Sequence, residues 1–194
     1  VMLAAVAGQP RPTIEYFYST YYAKRKNAAG AAGVLENFPT PVTLMYGSRE
    51  CRTQPVCYDS VDERLVNLTY DNVLQPNLLP VSVATRLGSQ DPAQAAITAF
   101  AYNNLGQVLS VDGPLDGTGD TSYNAYQTSG RTEGTVSADP DGTGPLRRFA
   151  TRTIYLNGLP VTQQTGTVSG TTLADFTIDQ QVDTAFDNYG RPVT

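Results

Sequence analysis

Few residues in this 194-residue chain have the types and spacing that chemistry requires. Histidine is absent, which removes the usual general base, the commonest metal ligand and the side chain that titrates near neutrality. Cys51 and Cys57 lie six positions apart with Pro55 between them. That spacing fits a small loop closed by a disulfide; two free buried thiols are the other reading. A metal reading lacks two of its four ligands, and a cysteine nucleophile would lack a histidine base. Asp112, Asp116 and Asp120, and again Asp139 and Asp141, stand in Gly-rich loops of the kind that offer oxygen ligands to calcium. Neither loop completes twelve residues with a closing bidentate Glu, and Asp and Gly are also ordinary turn residues. Asp175, Asp179, Asp183 and Asp187 recur every fourth residue, but a helix would set four like charges on one face. No pair of carboxylates has a setting that marks it for glycoside hydrolysis. The expectation is a protein that is not an enzyme and needs no cofactor, with calcium as the one metal to weigh.

A second candidate is aromatic. Thr13 to Tyr22 (TIEYFYSTYY) reads as a strand with Ile14, Tyr16 and Tyr18 on one face and Glu15, Phe17 and Ser19 on the other. Lys24-Arg25-Lys26 follows directly. Rings beside cations can stack bases or sugars, whereas the plainer reading is a sheet strand with a solvated basic turn. The net charge of −5 argues against a nucleic-acid partner.

The elements that would position these residues are strands. The stretch Ala99 to Pro114 contains two short alternating runs, Ala99 to Tyr102 and Val108 to Val111, around a turn of Asn103, Asn104 and Gly106. The same arrangement returns as Tyr126 to Arg131 and as Phe186 to Arg191. In each, an aromatic stands four positions before a glycine, and Gln or Arg follows the glycine. Tyr155-Leu156-Asn157-Gly158 is a copy shortened by one residue, and Tyr70-Asp71-Asn72 is a copy without its glycine. The motif residues are therefore Tyr70, Tyr102, Gly106, Tyr126, Gly130, Arg131, Tyr155, Gly158, Phe186, Gly190 and Arg191. Recurrence every few tens of residues is the mark of a repeat architecture. Further strands are expected over Val42 to Tyr46, Arg64 to Tyr70, Val81 to Leu87 (after breaks at Pro76 and Pro80), Phe149 to Leu156 and Val182 to Phe186. Gln90 to Ala96 suits one helical turn, Thr167 to Gly170 a polar turn and Asn27 to Gly33 a loop. Asn67-Leu-Thr69 matches a glycosylation sequon.

The pattern aromatic-Asp/Asn-x-x-Gly-Arg/Gln, followed by an apolar strand and a break such as Asp139-Pro140, resembles the YD-repeat (RHS-repeat) proteins. The resemblance covers about Asn67 to Thr194. Departures are Asn103, Gln127 and Leu156 in place of Asp, and the family's terminal core motif is not visible. The resemblance implies a secreted, extracellular or cell-surface shell of hairpins that encapsulates or displays a toxin cargo. Five repeats are too few to close such a shell, so the chain is expected to be a segment of a longer parent or a subunit that joins identical copies through strand edges.

Taken together, the fold class is all-β: repeated antiparallel hairpins forming a continuous sheet ribbon. Residues 1–66 are expected to form a β-rich N-terminal region with the Cys51–Cys57 loop, and residues 67–194 the hairpin repeats. The last copy stops just after its turn and is expected to lack its second strand. Val1 to Ala7 is apolar but too short to span a bilayer, as is every other apolar run. With no starting Met and no basic leader in the given sequence, the chain is expected to begin inside a longer polypeptide. A carbohydrate- or receptor-binding surface built on the tyrosines of Thr13 to Tyr22 is the alternative function.

Overall fold

The computed structural model describes residues 12–26, 35–70, 78–142 and 144–193. Val1 to Ala7, Asn27 to Gly33, Asp71, Asn72 and Pro76 lie outside them. The chain is all-β. The strands are β1 (Thr13–Tyr21), β2 (Lys24–Lys26), β3 (Leu35–Asn37), β4 (Val42–Cys51), β5 (Glu63–Tyr70), β6 (Pro80–Leu87), β7 (Ala96–Tyr102) and β8 (Val108–Asp112). They continue with β9 (Ser122–Tyr126), β10 (Thr132–Val136), β11 (Arg148–Leu156), β12 (Leu159–Val168), β13 (Thr177–Asp183), β14 (Ala185–Phe186) and β15 (Pro192–Val193). Eleven strands form an open antiparallel sheet in the order β1-β4-β5-β6-β7-β8-β9-β10-β11-β12-β13. Strands adjacent in the chain are mostly adjacent in the sheet, as short connections between β-branched, alternating runs dictate. One helical turn, Pro92–Gln94, is started by Asp91, whose carboxylate accepts from the Ala93 amide at 2.9 Å. The chain divides into two compact units, residues 1–100 and 101–194.

In the first unit, β1 runs antiparallel to β4 with a bulge opposite Phe17 and Tyr18. Tyr16 and Tyr18 are exposed, while Phe17 on the other face lies 6.0 Å from the Tyr46 ring. Lys24-Arg25-Lys26 is a strand rather than a basic turn. It pairs with β3, where Glu36 and Asn37 bind Arg25 and Lys24 at 2.8 Å and 2.5 Å. These cross-strand partners, far along the chain, draw the cations into a ladder. Cys51 and Cys57 form a disulfide. Closing so short a loop contributes about 2 kcal/mol by chain entropy.

In the second unit, the apolar core is Val136 on β10, Ala150 on β11 and Val168 on β12, with Tyr123, Leu173 and Phe176 packed on it. Leu173 and Phe176 come from the β12–β13 connection, which folds over the sheet face and allows a close approach at Gly134. The stretch Val182 to Phe186 is not one strand. Its ladder with β12 stops at Asp183, and Thr184 donates its amide to the Val161 carbonyl at 2.8 Å before β14 begins. The last copy does have a second strand, β15, whose Val193 and Pro192 oppose Ala185 and Phe186.

Gly134 and Gly166 sit where the β9–β10 and β12–β13 registers shift. A Cβ at Gly134 would lie 2.0 Å from the Thr151 carbonyl oxygen, and one at Gly166 would lie 1.9 Å from that of Thr177. Gly134→Ala and Gly166→Ala should each destabilise the protein by about 1–3 kcal/mol, read as a lower urea midpoint with an unchanged slope.

Candidate functional site

Hydrogen bonding makes three of the repeat turns the same object. In the turn Asn103 to Gln107 the amide of Asn103 donates to the Gln107 carbonyl at 2.9 Å and that of Gly106 to the Asn103 carbonyl at 3.0 Å. Gln127 to Arg131 repeats both bonds at 2.8 Å, and Asp187 to Arg191 repeats both at 2.9 Å. The glycines have φ of 77°, 83° and 75°, a left-handed backbone that L side chains rarely adopt. Where the first residue is Asn or Asp, its side-chain oxygen also closes the loop, a bond that the longer Gln127 does not make. Asn103 Oδ1 accepts from the Leu105 and Gln107 amides at 2.9 and 3.0 Å, and Asp187 Oδ1 from those of Tyr189 and Arg191 at 2.8 and 2.9 Å. Tyr155 to Gly158 is one residue shorter and turns differently: Asn157 and Gly158, at φ 50° and 88°, make a two-residue hairpin between β11 and β12.

The residue after the glycine does something the motif alone does not announce. Gln107 reaches out of its own turn and donates from Nε2 to the Gly130 carbonyl of the next, at 2.6 Å. Arg131, at the same motif position, lays its guanidinium 5.5 Å above the Tyr155 ring. Its Nη1 and Nη2 would be 2.9 Å from any Cβ at Gly158. Leu159 holds this position in the short copy, and its methyl groups approach Gly190. Arg191, in the last copy, folds back on Asp187 at 2.7 Å and on the Tyr189 ring at 5.3 Å. Gln107 and Arg131 thus each reach the turn that follows with a polar or charged group, Leu159 makes only an apolar approach, and Arg191 stays within its own turn.

Two of the motif aromatics donate to backbone carbonyls of a neighbouring strand in their own unit. Tyr126 donates its hydroxyl to the Val108 carbonyl at 3.0 Å, and Tyr70 donates to that of Met45 at 2.8 Å with its ring 4.8 Å from Tyr21. Burial holds the Tyr102 hydroxyl above its ordinary pKa, and burial followed by Tyr21 does the same at Tyr70. Phe186 lines a cleft beside the last turn.

The opposite ends of the same strands are linked by arginines that sequence reasoning missed. Buried Arg148 donates from Nη1 to the Thr121 and Ser137 carbonyls, both at 3.0 Å, and pairs through Nη2 with Asp139 at 3.3 Å. Arg147 bonds the Thr167 and Asp175 carbonyls at 3.1 and 2.8 Å and pairs with the Asp175 carboxylate at 3.4 Å. Arg147 precedes β11 and Arg148 begins it, with no pattern to announce either. Of the aspartates with calcium-like spacing, Asp112, Asp120, Asp139 and Asp141 serve their own loops. Asp112 accepts from the Thr121 hydroxyl, Asp120 from the Leu115 amide at 2.9 Å and Asp141 from the Leu146 amide at 3.1 Å. Among the described residues no three Asp, Glu, Cys or His side chains converge as a metal site. Asp179 and Asp183 lie on β13, so Asp175, Asp179, Asp183 and Asp187 do not share a helix.

In the first unit the disulfide loop is anchored by charge. Glu63 is 1% exposed and accepts from Arg49 Nε at 2.5 Å and from the Asp59 amide at 2.7 Å. Arg49 lies between the Phe17 and Tyr58 rings at 5.5 and 4.3 Å. Burial works against its charge, but Glu63 outweighs burial and raises its pKa. Asp62 accepts from the amides of Thr53 and Gln54 and from the Thr53 hydroxyl, at 2.9–3.2 Å. Burial there works against the carboxylate, yet the Thr53 bonds prevail and hold its pKa below the ordinary value.

Comparison of the chain with protein-family models and with curated proteins gave no match.

The carboxyls of Asp62, Asp175, Asp183 and Asp187 are all held below the ordinary value of 3.8. Lowered groups contribute stability in full above the unfolded pKa and lose it as pH falls through the folded one. The urea midpoint should therefore stay level from neutrality to about pH 5 and fall below about pH 4. Asp62→Asn should lower it at neutral pH and flatten that acid limb. Arg131→Ala should cost about 1–2 kcal/mol by leaving Tyr155 without its cation. Gly158→Ala, strained at φ 88°, should cost more than about 1 kcal/mol.

Proposed function

We propose that this chain is a structural scaffold without enzymatic activity, a segment of a secreted repeat protein of the YD/RHS type that encapsulates or displays a toxin. The observation that supports the reading is the linkage of the turns, in which a six-residue motif builds the same hydrogen bonds three times and two of the copies, through Gln107 and Arg131, reach the next. Such a unit adds hairpins one at a time without needing a closed core, which suits a surface that must grow along one direction. The Cys51–Cys57 disulfide supports an oxidising destination. No helix among the described residues is long and apolar enough to cross a membrane.

Native material settles this reading. The scaffold should appear in the extracellular fraction with the disulfide formed, as part of a larger chain or of regular particles by light scattering and negative stain. A reduced protein confined to the cytoplasm would sink it. A fibre subunit joined through strand edges would instead show long filaments.

A second reading rests on Tyr16 and Tyr18, 44% and 59% exposed two residues apart on one face of β1. That spacing suits stacking against a glycan or a receptor. On a glycan array the scaffold should show no saturable binding; binding lost in Tyr16→Ala, Tyr18→Ala would transfer the function to this surface.

A further inference from the structure

The series of linked turns has one gap, and the gap is a cleft. After Gly106 and Gly130 stand Gln107 and Arg131, which put an amide on the Gly130 carbonyl and a guanidinium on the Tyr155 ring. After Gly158 stands Leu159. Leucine can touch Gly190, but it has no donor for a carbonyl and no charge for a ring. At this junction the second unit has an open cleft of about 570 Å³. Leu159, Val161 and Ala185 are among its apolar lining, and Phe186, Asp187 and Gly190 bring the ring, the carboxylate and the turn glycine of the following copy.

From this geometry we infer that the cleft binds an arginine side chain supplied by another peptide segment. The chain itself provides the precedent, since the corresponding aromatic and glycine of the preceding turn, Tyr155 and Gly158, already hold the guanidinium of Arg131. Phe186 offers a ring face, and the Gly190 carbonyl corresponds to the Gly130 acceptor used by Gln107. Both oxygens of Asp187 are already taken, Oδ1 by the Tyr189 and Arg191 amides and Oδ2 by the Arg191 guanidinium, so the ring and the carbonyl carry the recognition. The chain's net charge of −5 favours a cationic partner. The volume exceeds one side chain and leaves room for the peptide backbone on either side of the arginine. A planar guanidinium matches a ring and a carbonyl together, whereas the ammonium of lysine is a compact, strongly hydrated charge. Binding here does not depend on the scaffold role.

The probe is N-acetylarginine methylamide, titrated into the full chain by NMR against its lysine and citrulline counterparts. The arginine compound should saturate at about millimolar concentration and shift resonances of Phe186 and Gly190. Citrulline, which keeps the shape and loses the charge, should bind at least about fivefold more weakly. Phe186→Leu keeps the apolar volume and removes the ring, and should weaken arginine at least about threefold. Leu159→Arg places a guanidinium in the cleft from the chain's own turn; it should abolish binding of the probe and raise the melting temperature. Equal binding of arginine and citrulline, absence of saturation, or a folded Leu159→Arg that binds the probe as the parent does would each overturn the assignment.

Discussion

The second unit depends on one contact repeated with different chemistry: a side chain placed after a turn glycine that lands on the next turn. A β-hairpin cannot bury its apolar face or satisfy its edges alone. Side-by-side pairing solves the edge problem through the backbone, but backbone bonds do not fix where one hairpin end lies against its neighbour. Gln107 and Arg131 do so. The motif glycine then has two duties, because its φ makes the turn and its missing side chain makes room for the visitor. At Gly158 both are visible at once, with φ at 88° and Arg131 packed where a methyl group would be.

Buried apolar side chains are scarce among the described residues, being Cys51, Cys57, Val136, Ala150 and Val168. Charge and hydrogen bonding fill the gap. Arg148 ties one loop to another through two carbonyls and Asp139, and in the first unit Glu63 and Arg49 take the position that an apolar cluster normally holds. A buried pair of this kind is a weak source of net stability, but removing one partner is costly because the other is left without its counter-charge. Such a protein tolerates exchange of surface leucines better than loss of a single arginine.

Much of this was legible in the sequence. Alternation and turn residues announced β1, β4, β5, β6, β7, β8 and β11, and the aromatic-to-glycine spacing announced three turns whose hydrogen bonds prove identical. The Cys51-to-Cys57 spacing allowed the disulfide that the structure contains. What escaped was set by partners distant in the chain. Lys24 to Lys26 looked like a turn because Glu36 and Asn37, which make it a strand, are invisible to a local pattern. Arg147 and Arg148 carry no periodic signal, since their targets are carbonyls, and every residue has one. The break at Thr184 arises where the β12 ladder hands over to a new hairpin, which local alternation does not record.

The links between turns all point the same way, from the earlier copy to the later. On a ribosome this gives the sheet a grammar of arrival. Gln107 and Arg131 are each held out before their acceptor has been made, and the acceptor is the next hairpin to emerge. Contacts close between neighbours in time as well as in space, so no strand waits long for a partner and few wrong pairings compete.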